Sequence, residues 1–215
     1  MENTVELVFI VDKSGSMDHL TEDTIGGFNG ILKKHNSEEN HDLVSVVLFD
    51  DAPTVLYDRV PISQVPMMTE KDYNPSGCTA LLDALGSAIQ HISSIHKYIR
   101  IEDIPTKTLF VVITDGFENA SNEFSGSMIK KMVTEKQEKE GWEFLFIGAN
   151  IDSITTGEEL GFRKNRISDF IPDSEGSARV YESVGRSFSC LKRSCVINDN
   201  WDEELKEDFE SRKYK

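Results

Sequence analysis

Three loops of the sequence concentrate oxygen donors where apolar runs end. Asp12-Lys13-Ser14-Gly15-Ser16-Met17 follows the apolar run 5–11, and Asp115-Gly116 follows the run 108–114. Between them, Pro75-Ser76-Gly77-Cys78-Thr79-Ala80-Leu81 opens a helical pattern. Asp12, Ser14, Ser16, Thr79 and Asp115 together supply two carboxylates and three hydroxyls, a hard donor set that needs no sulfur or imidazole. Such a set suits Mg²⁺, accommodates Mn²⁺ or Ca²⁺, and disfavours Zn²⁺, which prefers nitrogen and sulfur. Gly15 opens a tight loop in which Ser14 and Ser16 can turn both hydroxyls toward one point. Neutral hydroxyls leave an ion undercharged, so it stays a strong Lewis acid and seeks a carboxylate from outside.

Holding these loops together requires a particular set of elements. The runs 5–11, 43–49, 108–114 and 143–149 are apolar without clean alternation, the pattern of strands buried on both faces of a parallel sheet. Helical spacing separates them. It runs over 17–35 (Leu20, Ile25, Phe28, Ile31, Leu32), over 80–99 (Leu81, Leu85, Ala88, Ile89, Ile92), and over 126–140 (Ile129, Met132, Val133), where Gly141 stands as a C-terminal cap. Asp50-Asp51-Ala52-Pro53 leaves no room for a crossover helix, so 54–62, with its Pro61, reads as an antiparallel edge strand joined by a hairpin. A short helix over 153–160, a weak strand over 166–170 and a helix over 174–194 follow. In that last helix Tyr181, Val184, Phe188 and Leu191 form the apolar stripe. The fold class is therefore α/β: a doubly wound, mostly parallel six-stranded sheet with one antiparallel edge strand and helices on both faces. Ligands of such sheets bind beyond the carboxyl ends of the strands, where the three loops lie. Residues 1–197 form one domain. The acidic tail 198–215 repeats Trp201, Leu205 and Phe209 every four residues, as a docked amphipathic helix would.

At this point the residues resemble a known family. Asp12-x-Ser14-Gly15-Ser16, Thr79 within Gly-x-Thr-Ala-Leu, and Thr114-Asp115-Gly116 are similar to the metal-ion-dependent adhesion site of the von Willebrand factor type A domain. All five of its positions are matched in order, and the resemblance covers about residues 4–195. It implies a Rossmann-like sheet whose third strand is antiparallel. It also implies that Ser14 and Ser16 coordinate the metal directly, and that Thr79 does so when a ligand is engaged and through water otherwise. Asp12 and Asp115 would act mostly through waters and by orienting the hydroxyls. An Asp or Glu from a protein partner would complete the coordination. A short single-domain member resembles the intracellular bacterial or phage type.

Blander roles compete for the same residues. Serine before a helix is common on capping grounds, Thr79 could cap the helix it precedes, and Asp-Gly is a turn signal. Cys78 reads as a small buried residue packing its loop. His19, His35, His41, His91 and His96 fall in no catalytic or metal-binding arrangement, and the charged run 130–140 reads as a solvated helix face. Glu118 and Glu123 would shape the rim by repelling unsuitable acidic partners.

Composition narrows the function. Against 23 Lys and Arg stand 38 Asp and Glu, a formal charge of −15 that repels nucleic acid and anionic membrane. Three cysteines without a C-x-x-C pair fit a reducing compartment. The acidic start lacks the basic region of a signal peptide, and no stretch approaches the ~20 apolar residues of a membrane span, so a cytoplasmic location is expected. The leading expectation is a non-enzymatic module that binds a partner carboxylate through the metal. A Mg²⁺-dependent phosphohydrolase or phosphotransferase of the haloacid-dehalogenase-like kind would need Asp at position 14, which is Ser. Neither G-x-x-x-x-G-K-[ST] nor G-x-S-x-G occurs. An accessory subunit of a AAA-type ATPase assembly is the remaining alternative, and differs from the first only in its partner.

Overall fold

The computed structural model describes residues 4–37 and 41–213. The chain runs β1 (Val5–Asp12), α1 (Thr21–His35), β2 (Leu43–Phe49), β3 (Pro53–Pro61), α2 (Leu81–Tyr98) and β4 (Lys107–Thr114). It continues through α3 (Gly126–Lys139), β5 (Glu143–Gly148), α4 (Ser153–Glu159), β6 (Ile167–Asp169), α5 (Ser174–Ser194) and α6 (Glu203–Arg212). The six strands form one sheet in the order β3-β2-β1-β4-β5-β6, and every pairing is parallel except β2 with β3. The short Asp50-Asp51-Ala52 link makes that exception, because only an antiparallel return fits three residues.

Alternate residues of β1 feed two cores. Leu7, Phe9 and Val11 pack with Phe28 of α1, Val184 and Phe188 of α5 and Leu205 of α6. Val8 and Ile10 face the other way, toward Leu85 and Ile89 of α2 and Val133 of α3. Burial on both faces is why these strands carry no polar alternation. Glu6 is wholly buried in β1 and is compensated by Arg59 (2.5 Å) and by His96 (2.7 Å), which accounts for one of the histidines.

Three details depart from the sequence reading. Residues 15–20 form a 3₁₀ turn ahead of α1 instead of its first turns, with Met17 N–H donating to Ser14 O (3.0 Å). The tighter winding keeps the serine loop compact while Met17 and Leu20 anchor it in the core. Trp201 precedes α6 instead of lying on it: Trp201 and Leu205 are buried, and Phe209 is half-buried. Cys78 is exposed, because its loop packs through the hairpin tip and not through the thiol. Among the described residues no helix is long and apolar enough to cross a membrane.

Candidate metal centre

The winding reverses between β1 and β4, so a crevice opens at the carboxyl ends of these two neighbours. Asp12 is the last residue of β1, and Asp115 directly follows β4. Asp12 is fully buried. Its Oδ1 accepts the Ser14 N–H (2.7 Å) and its Oδ2 the Thr114 hydroxyl (2.6 Å). Ser14 Oγ and Ser16 Oγ share a hydrogen bond (3.0 Å), and the Ser16 hydroxyl donates to Asp115 Oδ1 (2.5 Å). Thr79 joins them across Gly116. A Cβ placed on that glycine would lie 3.1 Å from Thr79 Oγ1, 3.7 Å from Ser16 Oγ and 3.9 Å from Asp12 Oδ2. Thr79, Ser16 and Asp12 thus surround Gly116, and Ser14 and Asp115 join them through their hydrogen bonds to Ser16.

Backbone contacts fix the first two loops to each other. Gly15 N–H donates to Gly77 O (3.2 Å) and Ser76 N–H to Lys13 O (2.9 Å). The hairpin tip braces both: Lys13 Nζ pairs with Asp50 (2.7 Å), Asp50 O accepts from Ala80 N–H (2.8 Å), and Asp51 Oδ1 accepts from Cys78 N–H (2.8 Å). Gly77 has φ +72°, and a Cβ there would come within 2.9 Å of the Asp51 carboxylate, so the loop requires glycine. Behind the strand end, the buried Tyr73 hydroxyl donates to the Asp12 carbonyl (2.6 Å), and burial holds this phenol well above its usual pKa.

Neither Ser14 nor Thr79 spends its hydroxyl on capping a helix. Ser14 stands at the head of the 3₁₀ turn without a side-chain cap bond. Thr79 does not cap α2. Instead, Glu118 Oε2 takes the Leu82 N–H (2.9 Å) and Ser121 Oγ the Asp83 N–H (3.1 Å). This overturns the rim role expected of Glu118, whose carboxylate turns inward and also accepts from Ala120 and Ser121 N–H; Glu123 is exposed. His19 bridges the carbonyls of Ser16 (2.8 Å) and Pro172 (3.0 Å), tying the serine loop to the segment before α5. The exposed Cys78 thiol is held above its usual pKa by its hydrogen bond to Asp51 and that carboxylate's charge, which keeps it protonated. Sequence reasoning gave no role to Tyr73, Asn119 or Asp83, whose partners lie about 40 to 60 residues away.

The electrostatics are those of a site prepared for positive charge. Burial pushes the Asp12 carboxyl above its usual pKa; hydrogen bonds from Thr114 and Ser14 oppose the shift, and the charge of Asp115 adds to it. Asp115 Oδ2 is buried and has no hydrogen-bond partner. Two adjacent carboxylates, one with an orphaned oxygen, beside three convergent hydroxyls make a donor set that a hard divalent cation fits. Among the described residues no three His, Cys, Asp or Glu side chains cluster as a metal site, so hydroxyls have to supply part of any shell here.

No protein-family model matches the chain, and no curated protein matches it. Solved structures do share its fold. A point mutant of the PilB minor pilin from Streptococcus sanguinis superposes with TM-score 0.65 at 13% identity, covering 94% of this chain and 63% of that one. A von Willebrand factor type A protein from Catenulispora acidiphila gives 0.57 at 15%, covering 86% and 42%. Proximal thread matrix protein 1 from the mussel byssus, with zinc occupying its MIDAS motif, gives 0.58 at 14%, covering 90% and 46%. This chain spans less than two thirds of each of these proteins. The likeness establishes a von Willebrand factor type A-like, Rossmann-like fold.

Proposed function

We propose that this domain is a non-enzymatic interaction module that captures a protein partner through a divalent cation held by Asp12, Ser14, Ser16, Thr79 and Asp115. The observation that carries the reading is the gathering of Thr79, Ser16 and Asp12 around Gly116, with Ser14 and Asp115 hydrogen-bonded to Ser16 and Asp115 Oδ2 left buried and unpaired. A bound cation supplies Lewis acidity toward an external carboxylate oxygen. The chain's own residues do the rest. Ser14, Ser16 and Thr79 present neutral oxygens, while Asp12 and Asp115 orient the hydroxyls and supply two negative charges without quenching the ion. Ser16 is exposed at the mouth and leaves room for an acidic side chain from a partner. Magnesium is the expected ion, and the zinc in the mussel neighbour's motif makes zinc the competitor to test. The setting we propose is cytoplasmic, for a chain whose three cysteines are free thiols.

Calorimetric titration with Mg²⁺, Mn²⁺ and Zn²⁺ tests the site. Wild type should bind one ion weakly, and Asp12→Ala and Thr79→Ala should each bind more weakly still. Equal binding in all three proteins would sink the assignment. A partner captured from lysate in Mg²⁺ should be lost in EDTA and lost with Thr79→Ala, and its own essential Asp or Glu should map to the contact.

A further inference from the structure

We infer that Asn119 is a positioning residue of the metal centre, fixing where Thr79 presents its hydroxyl; the inference rests on Thr79 being a metal ligand. Asn119 Oδ1 accepts the Thr79 N–H (2.9 Å), and the Asn119 N–H donates to the Thr79 carbonyl (3.1 Å). One residue thus satisfies both backbone polar groups of Thr79, whose own segment has no regular structure between Gly77 and α2. Such a segment has no helix or sheet ladder to hold it, so its register depends on contacts of this kind.

The surrounding bonds show what the clasp is attached to. Glu118 and Ser121 take N–H groups of the first turn of α2, and Asp83 in that turn returns the contact by accepting from Asn122, Glu123 and Phe124 N–H (2.8, 2.9 and 2.9 Å). The loop 115–124 and the amino end of α2 are therefore locked reciprocally. Asp115 opens that loop, and Asn119 is its contact with Thr79. Through Asn119 the spacing between Asp115 and Thr79 becomes a property of one rigid unit, while the Thr79 side chain takes no part in the clasp and stays available. An outer group that orients a ligand in this way governs affinity without touching the ion.

Substitution separates this role from simple stabilisation. Asn119→Ala keeps the backbone half of the clasp but leaves the N–H of the buried Thr79 without its acceptor, so the melting temperature should fall by a few degrees and the metal titration, not stability, carries the test. Mn²⁺ affinity, measured by calorimetry on the full chain, should fall about tenfold, the lower end of the range for losing a partner that orients a ligand. Asn119→Asp keeps the accepting oxygen and should restore binding. In a Thr79→Ala background, Asn119→Ala should cost nothing further, because residues acting through one contact are not additive. A wild-type-like affinity in Asn119→Ala, or an equal loss in both backgrounds, would overturn the positioning role while leaving the metal site standing. If Thr79→Ala itself binds Mn²⁺ as wild type does, the ligand role of Thr79 fails, and this inference with it.

Discussion

Gly116 sits where a side chain would intrude on the centre, since its missing Cβ would stand 3.1 Å from Thr79 Oγ1, closer than such contacts normally come. Gly116→Ala leaves the net charge and all five oxygen-bearing residues in place. It should nonetheless push the Thr79 hydroxyl aside by a few tenths of an ångström. Mn²⁺ affinity measured by calorimetry should fall roughly tenfold, or ~1.4 kcal/mol, with Gly116→Val worse. An unchanged affinity would show that Thr79 tolerates displacement. That Asp12, Ser14, Ser16, Thr79 and Asp115 lie near one another was legible in the sequence because each sits in a short motif where an apolar run ends or a helix begins. Tyr73, Asn119 and Glu118 were not, because tyrosine, asparagine and glutamate are ordinary surface types and their partners become neighbours only once β1, β4 and α2 are packed. Cys78 was misjudged for a related reason: nothing in its sequence context shows that Asp51, 27 residues earlier, takes up the loop's packing.

Among the elements, the buried strands were readable from continuous apolar runs and β3 from the shortness of its link, whereas the 3₁₀ turn at 15–20 was hidden behind apolar spacing that α1 shares. The tail was readable as a stripe but not in its depth. Leu205 is 1% exposed within the sheet's own core, and Trp201 donates its indole N–H to Asn165 O (2.8 Å). Leu205→Ala should therefore cost ~2–5 kcal/mol in urea unfolding, and Phe209→Ala, at a half-buried site, distinctly less. Asp173 caps α5 through Gly176 N–H and holds Arg212 of α6. Burial raises its pKa, but the hydrogen bonds from Arg212 and Gly176 outweigh that and leave it below the usual carboxylate value. A carboxyl depressed in the folded state stabilises the fold above its unfolded pKa of ~3.9, and the contribution disappears as pH falls through the folded value. Asp173→Ala should cost about 1 kcal/mol at pH 7, with the gap to wild type closing in denaturation series as pH falls through the depressed folded value. A gap that persists there would assign the loss to packing and not to the charge.

For the whole molecule, a formal charge of −15 opposes the approach of the acidic partner that the centre is proposed to take. The two influences act over different distances. Repulsion between net charges extends over a Debye length, about 30 Å at 0.01 M salt and about 8 Å at 0.15 M, whereas contact between a carboxylate and the bound ion is unscreened by intervening solvent. Raising salt should therefore remove the barrier to encounter while leaving the bound state nearly intact, the reverse of a pair steered together by opposite charges. With Mg²⁺ saturating, the association rate of a captured acidic partner should rise several-fold between ~0.01 and ~0.15 M NaCl, and the dissociation rate should change little. Surface plasmon resonance on the full chain reads both. An association rate that falls with salt would mean that the partner presents a basic face around its carboxylate, and that the negative surface of this domain attracts its partner.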